Sequence, residues 1–179
     1  MQLSMGFDGQ DQDIIKLFKA GFCASEGNEV GVLIANLVRK LLAETASDDI
    51  HVCTASETDR LLGASVFTRL TYDQDDREIF VLGPVAVATD RQRQGIGQAM
   101  LNHALDALRR FGVDIVLTYG DPRYYGRLGF VPVSEQDAAA PYKLQHPHGW
   151  QGLSLTGHSW LPLRGRSLCV GAFNDPVFW

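Results

Sequence analysis

Two glycines one residue apart, Gly95 and Gly97, stand where an extended apolar stretch gives way to an amphipathic one. The run from Leu82 reads Leu-Gly-Pro-Val-Ala-Val-Ala-Thr-Asp-Arg-Gln-Arg-Gln-Gly-Ile-Gly: a strand, a loop and the start of a helix. The first N–H groups of a helix have no internal partner and face one way, and the helix dipole adds partial positive charge there. Such a place takes an anion. Glycines without a Cβ let a pyrophosphate come close to the backbone, and Arg91 and Arg93 add charge at the rim. Gly-x-Gly alone also serves as a plain helix-entry turn. Two other nucleotide loops fail on inspection. The dinucleotide fingerprint needs a third glycine where Met100 stands, and the Walker loop needs a Gly-Lys pair that is missing.

Pro84 points to the same segment. In a strand that reads as central, a proline removes a ladder hydrogen bond and the glycine before it weakens packing. Gly83-Pro84 therefore predicts a bulge that splays this strand from its neighbour and frees backbone groups. An edge strand with a tolerated proline is the alternative.

Gln92-x-x-Gly95-x-Gly97 after Val85-x-Val87, followed at the right distance by Tyr125-Gly126-Arg127-Leu128-Gly129-Phe130, resembles the paired motifs of the GNAT superfamily of N-acetyltransferases. Leu82 to Val87, together with Gly120-Asp121-Pro122-x-Tyr124-Tyr125, looks like its YhbS-like branch. The resemblance runs from about Asp11 to Thr156. It implies acetyl-CoA as cosubstrate, a primary amine of a small molecule or peptide as acceptor, and direct attack without a covalent enzyme intermediate. Pantetheine would pair like an extra strand along Val85, Ala86 and Val87, and the pyrophosphate would sit on the amides of Gln92, Arg93, Gln94, Gly95, Ile96, Gly97 and Gln98. A backbone N–H near Val85 would polarise the thioester carbonyl, the oxyanion role. Tyr125 would protonate the leaving thiolate as general acid, with Tyr124 beside it as a further cofactor contact or a packing aromatic. Where members carry a glutamate base on the central strand, this chain has Val81. Glu78 is three residues off, and Glu26 and Glu29 also suit helix ends. No base is assigned, and a catalytically silent acyl-CoA sensor of the same fold is the rival reading.

The elements that must position these groups are legible as period. Gln2 to Phe7 reads as a short strand. Ile14, Ile15, Leu17, Phe18 and Phe22 form a helical stripe from Asp11, and Val30 to Leu42 form another within about Asn28 to Glu44. Ile50 to Ala55, Leu61 to Tyr72 and Arg77 to Ala88 are strands of a meander, with polar hairpin turns at Glu57 to Arg60 and Asp73 to Asp76. The second turn lacks the glycine and closing glutamate of a calcium loop and reads as solvated. A helix from about Gly95 to Phe111 precedes Val113 to Tyr119, a continuous apolar strand suited to burial on both faces and to parallel pairing. Asp121-Pro122 starts a short helix that stops at Gly129. Phe130 to Val133 is extended, Ser134 to Gly149 is a loop, and Trp150 to Thr156 and Arg166 to Val170 are strands. The fold class is a mixed α/β sheet, largely antiparallel and flanked by helices.

The chain has 179 residues, 45% of them hydrophobic and 21% charged, which fits one globular domain with a core at about 11–156 and a C-terminal extension at about 157–179. Phe173, Phe178 and Trp179 in that extension cap hydrophobic surface of the same domain or meet a second subunit, so monomer and homodimer stay open. The net charge of −5 runs against nucleic-acid partners. No apolar run reaches the ~20 residues of a membrane span, and Met1 to Asp13 lacks the pattern of a secretory signal. Three widely spaced cysteines, Cys23, Cys53 and Cys169, read as free thiols of a reducing compartment, so the expected location is cytoplasmic. His146-Pro147-His148 lacks a third ligand and reads as loop rather than metal site.

Overall fold

The computed structural model describes residues 1–158 and 162–179. Residues 159–161 of the expected extension lie outside the described residues. The chain divides into two units, residues 1–67 with 84–104 and residues 68–83 with 105–179.

The first unit opens with strand β1 (Gln2–Met5) and the helices α1 (Asp11–Glu26) and α2 (Asn28–Glu44). The stripes turn inward as their period requires: Ile14, Ile15 and Phe18 from α1, and Ala35, Leu37, Val38 and Leu41 from α2. Leu17 and Phe22, at the margin of the α1 stripe, are half-buried. Gly31 is the contact that lets the helices meet. A Cβ there would stand 2.8 Å from the Cys23 nitrogen and 2.9 Å from the Lys19 carbonyl oxygen, closer than side chains pack. β1 pairs antiparallel with β2 (Ile50–Glu57), Leu3 opposite Ala55. β3 (Arg60–Tyr72) follows a tight turn in which Thr58 takes a φ of 55°. Burial on β2 pushes the Cys53 thiol up to about 12, and it donates to the Met100 carbonyl at 3.6 Å on α3 (Ile96–Arg110). That cysteine is a core residue.

The second unit contains the parallel pairing. β4 (Ile79–Val87) runs beside β5 (Ile115–Tyr119) from Ile79 opposite Ile115 to Leu82 opposite Thr118. β5 starts later than its apolar run because the Val113 amide donates to Leu108 at the end of α3 and the Asp114 amide donates to the Glu78 carbonyl. Ile115 to Thr118 are all buried, as expected of a strand covered on both faces. On its other side β5 pairs antiparallel with β7 (Trp150–Ser154), which also pairs with β6 (Val131–Pro132). β8 (Ser167–Cys169) pairs with the far end of β3. Among the described residues the strand order is β1-β2-β3-β4-β5-β7-β6, with β8 on β3, a largely antiparallel mixed α/β sheet with helices. No described helix is long and apolar enough to cross a membrane.

One expectation changes here. The turn at 73–76 is not merely solvated. Asp73 accepts from the Arg166 amide at 2.8 Å, and Asp75 accepts from the Arg164 amide and from Arg77, so its carboxylates hold the returning tail. The aromatic end caps this unit's own core: Trp179 lies edge-on to Trp150 at 6.0 Å and donates to the Phe173 carbonyl.

Candidate functional site

Strand β4 has two regimes. Its register with β5 ends at Leu82, yet β4 continues through Gly83 and Pro84 to Val87. Ala86 and Ala88 turn into the core while Gly83, Val85 and Val87 are half-buried, the alternation of a strand covered on one side. The ladder that the glycine–proline pair was expected to interrupt does stop there. Beyond Val87 the Ala88 amide still donates to Leu62 of β3 at 2.7 Å, so the outgoing chain is held from that side.

A short 3₁₀ turn at Thr89–Arg91 then leads into the loop before α3. φ is 60° at Arg93 and 79° at Gly95, and among the described residues Gln94 between them has no such positive value. Successive residues of opposite hand turn their N–H groups to one side and make an anion-binding concavity. Side chains brace this loop. Arg91 pairs with Glu57 at 3.0 Å and donates to Gln94 at 3.2 Å, and the Gln92 amide donates to the Val87 carbonyl at 3.3 Å. Arg60 and Asp90 form a two-pronged pair at its base, 2.6 and 2.9 Å. Arg93 is exposed, and among the described residues no ion pair engages it. Of the two rim arginines, Arg91 is structural and Arg93 is the cation open to a ligand. Ile96 is buried, so that residue offers a ligand its backbone alone. No Cβ at Gly95 would touch another atom, and the left-handed backbone is the reason for glycine there. Gly97 and Gln98 are half-buried at the helix start. The loop offers groups that the phosphate arm expected of acetyl-CoA would need: amides beside left-handed residues, an exposed arginine that no ion pair engages among the described residues, and glycine at the strained position.

Tyr125 belongs to the second unit. Asp121 caps α4 (Pro122–Tyr125) by accepting from the Arg123 amide at 2.9 Å, as the Asp-Pro signal predicts. The Tyr125 ring packs edge-on against Phe130 at 5.7 Å and Tyr124 at 5.1 Å, and it presses on Gly120, where a Cβ would come within 2.8 Å of it. Burial pushes its hydroxyl up to about 12, opposed by a hydrogen bond with Thr118. Thr118, fully buried, donates its own proton to the Leu82 carbonyl at 3.1 Å. The Tyr125 hydroxyl is thus kept protonated in a half-buried aromatic setting. Tyr124 is half-buried, and burial raises its hydroxyl too.

The carboxylates weighed as bases are elsewhere engaged or exposed. Glu78 forms an ion pair with Arg69, whose guanidinium also stacks on Phe80 at 5.0 Å. Val81 is buried and apolar, and Glu26 and Glu29 are exposed at the α1–α2 junction. Sequence reasoning missed a cavity of about 660 Å³ at the end of β5. Tyr119, Gly120, Asp121 and Pro122 form one wall, and His146 and His148 stand on the other. Neither histidine carries a motif that would have found it.

Residues 48–132 match the acetyltransferase (GNAT) domain. Over 136 residues the chain is 29% identical to the Escherichia coli protein named uncharacterized N-acetyltransferase YjhQ, covering 69% of this chain and 75% of that one. A crystal structure of the GNAT family N-acetyltransferase YhbS from Escherichia coli in complex with CoA superposes with a TM-score of 0.82 at 21% identity, over 97% of this chain and 92% of that one. A GNAT family acetyltransferase from Brucella melitensis in complex with acetyl-CoA follows at 0.69 and 22%, over 96% and 98%. At these identities the two structures establish the fold.

Proposed function

We propose that the chain is an acetyltransferase of the GNAT superfamily, which its match over residues 48–132 and its 29% identity to YjhQ support, and that it moves acetyl from acetyl-CoA to the primary amine of a small molecule or peptide by direct attack. The observation that carries this reading is β4, whose register with β5 ends at Leu82 and which feeds a loop with left-handed Arg93 and Gly95, Arg93 being engaged by no ion pair among the described residues. Val85, Ala86 and Val87 receive the pantetheine arm as an added strand. The Val87 carbonyl, held meanwhile by Gln92, exchanges that side chain for the ligand. The amides of Gln92 to Gln98 and the Arg93 guanidinium take the pyrophosphate. Acetyl-CoA would supply a thioester carbonyl, and the Val85 N–H would donate to its oxygen as charge develops there.

Tyr125 is the proton donor to the departing sulfur, and Tyr124 stands beside it as a further contact. The high value of Tyr125 limits that role. A thiol releases its proton near about 8.5, so full transfer from a phenol at about 12 is uphill. The gain lies in the hydrogen bond that forms as the sulfur becomes negative. Residues 1–179 work as a single catalytic domain in the cytoplasm. The affinity of Gly97→Val for CoA tests the cofactor assignment. Bulk at the helix start should weaken binding at least tenfold, and unchanged affinity in a folded variant sinks it. Binding without turnover on a broad amine panel would instead mark a silent acyl-CoA sensor.

A further inference from the structure

We infer that the Gln92 carboxamide is a displaceable stand-in for the pantetheine arm: it occupies the free edge of β4 at Val87, and the arm must evict it in order to bind. This role rests on the acetyl-CoA reading above and makes the site respond differently to the two halves of that ligand.

The edge is defined by the strand itself. Along a strand, successive residues turn their N–H and C=O groups to opposite sides. The Ala88 amide donates to the Leu62 carbonyl of β3 at 2.7 Å. The Ala86 carbonyl faces Gly63 of the same strand, 3.3 Å from where a Cβ there would stand. The polar groups of Ala86 and Ala88 therefore point to β3, and those of Val85 and Val87 point away from it. That second side is the one on which an added strand would pair.

The chain supplies its own donor to that side. The Arg91 amide donates to the Ala88 carbonyl at 2.8 Å and closes the turn at Thr89–Arg91. The turn brings Gln92 back to a residue five positions earlier, where its Nε2 donates to the Val87 carbonyl at 3.3 Å. A carboxamide N–H is the same kind of donor as the amide N–H groups of pantetheine, so the two compete for one acceptor. Gln92 is exposed, and a neutral hydrogen bond of this kind contributes little once water competes for it. The stand-in is easily displaced.

The loop has other braces. Arg91 pairs with Glu57 at 3.0 Å and donates to Gln94 at 3.2 Å, and Arg60 pairs with Asp90 at 2.6 Å. None of these uses the Gln92 side chain. Gln92 thus has two separable parts: its main-chain amide belongs to the proposed diphosphate cradle, and its carboxamide to the pantetheine edge. A nucleotide without the arm leaves the carboxamide on Val87. Only a ligand that brings an amide donor of its own opens the edge.

The test titrates two ligands into wild type and Gln92→Ala by calorimetry. One is CoA; the other is phosphoadenosine diphosphate, the CoA fragment that keeps the diphosphate and lacks the arm. Removing the competitor should tighten CoA roughly two- to tenfold, the worth of one neutral hydrogen bond, with fragment affinity and Tm at their wild-type values. Gln92→Met, which keeps the length of the side chain and has no donor, should behave as Gln92→Ala does. Unchanged CoA affinity in both variants overturns the stand-in. Weaker binding of both ligands also overturns it and makes the carboxamide a brace of the loop, with the acetyl-CoA reading left standing. A wild type that binds neither ligand overturns the acetyl-CoA reading and this role with it.

Discussion

The loop before α3 and the aromatic nest around Tyr125 solve opposite problems. To admit a highly charged ligand, as proposed, the loop must stay wet, and it offers backbone amides, exposed polar side chains and the exposed Arg93, which among the described residues no ion pair engages. Its order comes from ion pairs at its edges, Arg91 with Glu57 and Arg60 with Asp90. The nest must keep a proton on one oxygen, so it uses burial, aromatic edges and a single hydroxyl neighbour, Thr118. On the proposed reading, binding is left to geometry and charge, and chemistry to the aromatic nest. Substitutions in the loop should therefore act on affinity, and substitutions in the nest on turnover.

The largest effect expected is on turnover. Tyr125→Phe keeps the ring contacts with Phe130 and Tyr124 and removes only the donor. Its kcat should fall by about 10²–10⁴-fold with near-normal CoA affinity and Tm. Loss in Tyr124→Phe instead would shift the second motif by one residue. The pH dependence carries a sign. Burial raises the Tyr125 hydroxyl above its ordinary value, so its contribution to stability is fully present below about pH 10 and fades as the pH climbs toward about 12. Wild type should lose more stability over that alkaline window than Tyr125→Phe does.

Affinity carries the next effect. Gly95→Val forces a β-branched residue into a φ of 79°, a left-handed backbone that costs an L-residue about 1–2 kcal/mol. CoA binding, measured by calorimetry, should weaken by about tenfold or more. A folded Gly95→Val with wild-type affinity would remove the loop from the account.

The third effect lies outside both regions and serves as a control. The Arg77 guanidinium holds the mostly buried Asp75 carboxyl down at about 2. A depressed carboxylate adds stability above its unfolded value, near about pH 4, and that stability is lost as the pH falls toward 2. Asp75→Asn should cost on the order of 2 kcal/mol at neutral pH and flatten the acid limb in denaturant titrations, with turnover per folded molecule unchanged. The smallest effect separates the two rim arginines. Arg93→Ala should weaken CoA binding a few-fold and in a salt-dependent way, whereas Arg91→Ala should first lower Tm, because it unpins Glu57 and Gln94.

What could be read in the chain itself was what repeats or ends locally. The α2 stripe gave both ends of its helix, Asn28 and Glu44, because the apolar period and the glycine before it are neighbours in sequence. Gly83-Pro84 located the end of the β4–β5 ladder for the same reason. The Asp-Pro cap of α4 was equally local. Illegible features depend on partners far along the chain. Asp73 and Asp75 look like a solvated turn until Arg164 and Arg166, about ninety residues on, return to them. His146 and His148 gain a context only when Gln151, Gly149 and Tyr119 fasten their loop to the end of β5. The left-handed φ of Arg93 has no signal in residue type at all, since glycine or asparagine is the usual occupant.

The most direct test of the central claim is acetyl-CoA turnover by the wild-type protein, followed as thiol release with and without each amine of a panel, alongside a CoA titration. The account predicts saturable CoA binding, thiol release that depends on at least one primary amine, and that amine recovered in acetylated form. Absence of CoA binding, or thiol release indifferent to every amine offered, would contradict it.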